Sequence, residues 1–99
     1  MNRVHLRRVA KLDLREATAW YRRRDSELAN RFLTEVYKTL AMLERFPKIG
    51  GPVFGVDEPD TRQLPVDTFP YKVVFRRFAD RISVLALAHE RKRPGYWND

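Results

Sequence analysis

A two-layer α+β domain ordered β-α-α-β-β-β is predicted by three features of the 99-residue sequence. Two consecutive stretches carry helical apolar spacing, and three later ones carry strand character. A nearly unbroken apolar run then occupies positions 82–88. A run of that length between polar residues fits a strand buried on both faces. It belongs in the interior of a mostly antiparallel four-stranded sheet, with a helical hairpin packed over one face. The length is that of one domain, 1–99.

The elements follow in chain order. Residues 4–9 read as a short first strand whose alternation is diluted by Arg7 and Arg8. A helix is expected over residues 10–24. Ala10, Leu14, Ala17 and Tyr21 keep helical spacing, and Leu12, Ala19 and Trp20 broaden the stripe. Arg22, Arg23 and Arg24 end it where cations complement the helix dipole. Asp25 and Ser26 supply the next N-cap, and Glu27 places an anion in the first turn. Ala29, Phe32, Leu33, Val36, Leu40 and Leu43 then hold the helical pattern until Pro47 stops it. The short link between the two patterns predicts an αα-hairpin.

Residues 47–60 read as a loop. Residues 61–66 form the next strand, and Pro65 argues for an edge or an interrupted ladder. Residues 71–78 alternate: Tyr71, Val73 and Phe75 on one face, Lys72, Val74, Arg76 and Phe78 on the other. A tight link at 79–81 makes that strand the antiparallel neighbour of the last. The last strand projects a tail carrying one imidazole, three cations and two polar-tipped aromatic rings.

The chain has no cysteine, which excludes disulfides and thiolate metal sites. Its apolar runs fall short of the ~20 residues of a membrane span, and its first residues lack a signal-peptide core. A cytoplasmic protein with no membrane partner is the expectation. The charge is unbalanced: 20 Lys and Arg face 13 Asp and Glu, a net of +7, and Arg outnumbers Lys three to one. Arg suits bidentate contacts with phosphate and carboxylate, so an anionic partner is implied.

Several segments together resemble the RelE/ParE superfamily of type II toxin–antitoxin toxins, the plasmid-stabilisation proteins. They are AKLDL at 10–14, ANRFL at 29–33, LERFP at 43–47, RQL at 62–64, FPYKVVF at 69–75 and VLALAHERKRPGYW at 84–97. Each is weak alone, but their order and spacing make the match specific. The resemblance implies a growth inhibitor held inactive by a cognate antitoxin, with no cofactor and no metal. It leaves two targets open. ParE-like members inhibit DNA gyrase, whereas RelE-like members are ribosome-dependent mRNA endonucleases. A toxin fold without toxicity is a third reading.

Metal-free RNA cleavage needs a base, an acid and cations around one phosphate. By the resemblance, Arg62 and Arg91 fall where the nuclease branch keeps arginines and Tyr96 or Trp97 near its C-terminal tyrosine, while His89 would have to substitute for the missing base. The loop after the second helix departs from the nuclease pattern. It offers Lys48 and then Asp57, Glu58 and Asp60, and those carboxylates repel a phosphate backbone. The ParE-like reading is therefore preferred, with Arg91, Lys92, Arg93, Tyr96 and Trp97 as the toxicity surface. The antitoxin is expected to be acidic and to fold on binding. Trp20 and Tyr21 cannot both face the sheet, so Trp20, Tyr21, Arg22 and Arg24 are its expected contacts. The bland alternatives are a strand-end histidine at 89, a solvated helix end at 22–24, and Tyr96 and Trp97 packed on the sheet.

Overall fold

The computed structural model describes residues 3–46, 48–53, 55–58 and 60–98. Its elements are β1 (Arg3–Leu6), α1 (Arg8–Arg24), α2 (Ser26–Arg45), β2 (Gly51–Pro52), β3 (Thr61–Pro65), β4 (Tyr71–Arg77), β5 (Arg81–His89) and a 3-10 turn (Tyr96–Asn98). The sheet order is β1-β5-β4-β3-β2. β1 runs parallel to β5, and every other pairing is antiparallel. The interior place expected for the last strand holds: all seven residues at 82–88 are buried.

The sheet has five strands where four were expected. Gly50 takes φ +102 and turns the chain so that Gly51 and Pro52 pair with Gln63 and Arg62. A Cβ at Gly50 would stand 2.9 Å from the Gln63 carbonyl oxygen, so only glycine permits this approach. β1 is shorter than expected, and α1 starts earlier, at Arg8. Arg7 ends the strand by donating its amide to the Val84 carbonyl, and it gives α1 no side-chain cap. The usual N-cap signal is therefore missing from the sequence at this boundary.

One residue closes the hairpin. The Asp25 amide donates to the Tyr21 carbonyl, ending α1, while its carboxylate accepts from the Glu27 amide at 2.9 Å, starting α2. Pro47, the expected stop of α2, lies outside the described residues; the helix ends at Arg45. No helix among the described residues is long and apolar enough to cross a membrane.

Two cores result. The larger lies between the helical hairpin and the sheet. Phe32 is fully buried there, with ring centroids 4.9 Å from Tyr21, 5.1 Å from Phe69 and 5.3 Å from Tyr71. The smaller covers the opposite face, where Trp97 closes over Val74, Leu85, Ala86 and Ala88 together with Val53. The Arg76 guanidinium ties Glu58, and with it the segment after β2, to that side of the sheet.

A bulge in β5 decides which side chains reach which core. Val74 pairs with Ala86, but Phe75 pairs with Val84, leaving Leu85 as the extra residue. Ile82, Val84 and Leu87 consequently face the helices, and Leu85, Ala86 and Ala88 face away. Strict alternation from Ile82 would have turned Leu87 and His89 to the outer face. The extra residue instead aligns His89 with Tyr71 on the helix side.

Candidate functional site

β1 covers only the first half of β5, pairing with Arg81 to Val84. Beyond Val84 that edge of β5 has no neighbouring strand among the described residues, and α1 crosses it instead. Asp13 meets the open edge. Its carboxylate Oδ2 accepts the Leu87 amide at 3.0 Å and the Tyr96 hydroxyl at 2.6 Å. One oxygen thus joins α1, the interior strand and the tail. Asp13 sits among Ala10, Leu14, Ala17 and Tyr21 on the inward stripe of α1, so it is half-buried. Burial raises its pKa, against the bonds from Tyr96 and Leu87 and the nearby Lys92, which lower it.

The tail leaves His89 through a tight turn. The Lys92 amide donates to the His89 carbonyl at 2.9 Å, and the Arg91 amide donates to His89 Nδ1 at 3.1 Å. The imidazole stands edge-on to Tyr71, 5.1 Å between centroids. The chain then returns to Tyr96 on Asp13 and Trp97 in the outer core. Arg91, Lys92 and Arg93 are exposed between those two anchors. Lys92 Nζ lies 4.8 Å from the Tyr96 ring centroid. The result is a basic turn held at both ends.

Beside it opens a cleft of about 400 Å³, walled by Asp13, Glu16, Trp20, Tyr71, His89 and Tyr96. Trp20 is 44% exposed, and the Arg24 guanidinium lies over its ring at 3.4 Å. Tyr21 is 8% exposed and belongs to the helix-side core, bordering the cleft only at its edge, so Trp20 is the exposed member of this aromatic pair. Arg22 and Arg24 are exposed on the same helix end. The cleft therefore unites Trp20 with His89, Lys92 and Tyr96, residues drawn from two separate expectations. Trp97 is 9% exposed and packs in the outer core, where it anchors the tail.

Arg62 stands apart. It lines a different groove with Asp57 and Glu58, and its Nε is buried without a partner among the described residues. Arg62 pairs with Phe75 and His89 with Tyr71, on opposite sides of β4. Four residues along one strand and two strand spacings across put their backbones about 16 Å apart. Arg62 is therefore set apart from the cleft that His89 and Tyr96 share. The Tyr96 hydroxyl is also committed to Asp13, and burial followed by that bond raises its pKa far above the ordinary range.

Burial likewise raises the pKa of Tyr21 and of Tyr71. Each phenol stays protonated in the folded chain where the unfolded chain would ionise it. Stability is then intact below the usual tyrosine value of 10.0 and is lost as pH rises beyond it. The thermal midpoint is expected to fall steeply above about pH 10, and less steeply in Tyr96→Phe. A midpoint level to about pH 11 would contradict this burial.

The sequence matches the family described as ParE toxin of type II toxin-antitoxin system, parDE, over residues 4–94. The chain belongs to that family. Among solved structures, a chain of the chromosomal ParDE TA system from P. aeruginosa is similar, with a TM-score of 0.75 and 20% identity. The match covers 90% of this chain and 96% of that one, and it shows a shared fold. No curated protein matches the sequence. The family match spans α1, the bulged strand and the basic turn, and it ends just before the Tyr96 anchor. Asp13 is the site residue that sequence reasoning passed over. Its signal was a carboxylate on the apolar stripe of a helix, a placement that requires buried donors to meet it.

Proposed function

We propose that this ParE-family protein is a growth-inhibiting toxin that binds DNA gyrase through the basic turn Arg91, Lys92 and Arg93, and that a cognate acidic antitoxin neutralises it. The anchored turn carries this reading. Three cations are exposed on a segment fixed at His89 on one side and at Tyr96 and Trp97 on the other. Fixing an exposed charged segment before binding reduces the entropy lost on association. The separation of Arg62 from His89 and Tyr96 supports inhibition by binding over RNA cleavage. Gyrase and the chromosome are cytoplasmic, so the toxin would act there.

The antitoxin is proposed to cover the cleft, with Trp20 as its apolar anchor and Arg22 and Arg24 facing its carboxylates. Aromatic and Arg side chains dominate the energetics of such interfaces. Masking Trp20 would also close the approach to Lys92 and Tyr96, which line the same cleft. The test is induction in bacterial cells without and with the antitoxin expressed from the same operon. Growth arrest with broken, gyrase-linked DNA, relieved by the antitoxin, is the expected result. Arrest with cleaved mRNA and intact DNA would replace gyrase by the ribosome. Normal growth would leave the toxin fold without toxicity.

A further inference from the structure

The cleft beside the basic turn holds chemistry that neither the turn nor an acidic partner uses. The chain carries a net charge of +7, yet this cleft sets two carboxylates, Asp13 and Glu16, against one cation, Lys92. The two acids stand three residues apart on α1 and so share a face. The rings of Trp20, Tyr71 and Tyr96 complete the wall. Such a wall repels anions and suits an organic cation.

Acceptors in the cleft outnumber the donors that reach them. Asp13 spends Oδ2 on the Leu87 amide and the Tyr96 hydroxyl, while its Oδ1 accepts no hydrogen bond among the described residues. Glu16 is exposed and forms neither a hydrogen bond nor an ion pair among the described residues. Tyr21 is a second, independent sign. Its ring packs on Phe32 and Phe69, and the residue is only 8% exposed. The phenol end is what borders the cleft, and its hydroxyl has no hydrogen-bond partner among the described residues. Buried hydroxyls normally have one. The Tyr71 hydroxyl is unpartnered in the same way. These groups lie together, since after burial itself the Tyr21 phenol and the Asp13 carboxylate oppose ionisation of Tyr71. Trp20 shows what its ring attracts: the Arg24 guanidinium lies over it at 3.4 Å.

We infer that the cleft binds an alkyl guanidinium, held by Asp13 Oδ1, Glu16 and the Tyr21 and Tyr71 hydroxyls, with its stem against the aromatic wall. A guanidinium presents N–H donors as a planar fork and no acceptor, which matches carboxylates and phenols that lack donors. It also stacks on aromatic rings better than an ammonium does. The volume of about 400 Å³ suits a small ligand. The group comes either from a free small molecule or from an Arg side chain of a bound protein. Lys92, whose Nζ lies 4.8 Å from the Tyr96 centroid, competes as a built-in cation. The inference concerns the cleft itself and rests neither on gyrase nor on an antitoxin covering Trp20.

The test is butylguanidinium titrated to about 10 mM into the purified chain at about 0.15 M salt, followed by the two indole N–H signals in proton–nitrogen correlation spectra. The Trp20 signal, assigned by its loss in Trp20→Phe, is expected to shift and saturate while that of Trp97 in the outer core stays in place. Butylurea, neutral and of the same shape, should bind at least about fivefold more weakly. Glu16→Gln should weaken the cation about fivefold or more, and Glu44→Gln, which removes an exposed carboxylate from α2, less than about twofold. Lys92→Gln should strengthen it. Glu16 is exposed and unbonded, so its variant should melt with the parent. A Trp20 signal unmoved at the highest concentration would overturn the site. So would butylurea binding as tightly as the cation, or equal weakening in Glu16→Gln and Glu44→Gln. The peptide Gly-Arg-Gly separates the sources. Binding at least as tight as butylguanidinium assigns the cleft to an Arg side chain of a protein, and weaker binding assigns it to a free small molecule; both uphold the guanidinium. Growth arrest and antitoxin binding are scored separately, so a failed cleft test and a failed toxin reading remain distinguishable.

Discussion

Asp13→Ala is expected to lower the stability of the domain by about 2–4 kcal/mol, because it strips one acceptor from two donors at once. The Leu87 amide lies at the uncovered edge of β5, and the Tyr96 hydroxyl lies against the same oxygen. An orphaned donor costs about 1–3 kcal/mol. For a domain of this size the thermal midpoint should fall on the order of 10–25 °C. Asp13→Asn keeps a carbonyl oxygen for both donors and should lose only about 1 kcal/mol. A second readout separates the tail from the rest. With Tyr96 released, trypsin should cut after Arg91 and Lys92 faster than in the parent protein at a temperature where both are folded. A midpoint unchanged in Asp13→Ala, with the tail still protected, would show that Trp97 alone holds the segment.

Arg91→Ala is expected to have the reverse profile, with growth arrest lost and stability kept. Arg91 is exposed, and its amide, not its side chain, makes the bond to His89. Truncating such a side chain changes stability by less than about 0.5 kcal/mol. Its function, in this account, is charge presented on a fixed turn, which a truncation removes entirely. Antitoxin affinity should remain close to the parent's, because Trp20, with Arg24 over its ring, belongs to α1 and not to the turn. Cells that still stop growing on induction of a folded Arg91→Ala protein would remove the basic turn from the active surface. The paired outcomes matter: Asp13 acts through the placement of the turn, and Arg91 acts as part of it.

Much of the architecture was legible in the sequence, because apolar spacing is a direct record of burial. The positions of Phe32, Val36 and Leu43 define one face of α2, and all three are buried. The run at 82–88 likewise announces a strand covered on both sides. What the pattern could not carry is the parity of that strand. The extra residue Leu85 inside an all-apolar run leaves no mark in hydropathy, yet it turns Leu87 and His89 towards the helices. β2 was hidden for a different reason. Gly50, Gly51 and Pro52 read as punctuation, and their pairing with β3 depends on a backbone contact that no side chain encodes. Leu12 was grouped with the inward stripe of α1 but is 41% exposed, since its neighbours already fill that face.

The site was legible in its residue types and less so in its grouping. His89, Lys92, Tyr96 and Trp20 line one cleft, a grouping that the sequence did not announce because it assigned Trp20 and the tail to separate surfaces. Tyr21 and Trp97 were placed on binding surfaces, and the structure uses both in cores. A large aromatic ring near charged residues suits an interface and a core margin equally well, and only the topology decides. Arg62 was joined to the tail by analogy in sequence, but β4 lies between β3 and β5 and keeps them apart. Asp13 shows the converse. A single carboxylate on an apolar stripe carries little weight in one dimension, and it becomes the hub once α1 crosses the open edge of β5.

In the proposed function, an anchored basic turn on a ParE fold inhibits gyrase by binding it. The most direct test is supercoiling of relaxed plasmid by purified gyrase in the presence of antitoxin-free protein. The expected result is loss of supercoiling at micromolar protein with accumulation of cleaved DNA, restored to full supercoiling by Arg91→Ala. Full supercoiling with the parent protein, from a preparation that arrests growth in cells, would contradict the account.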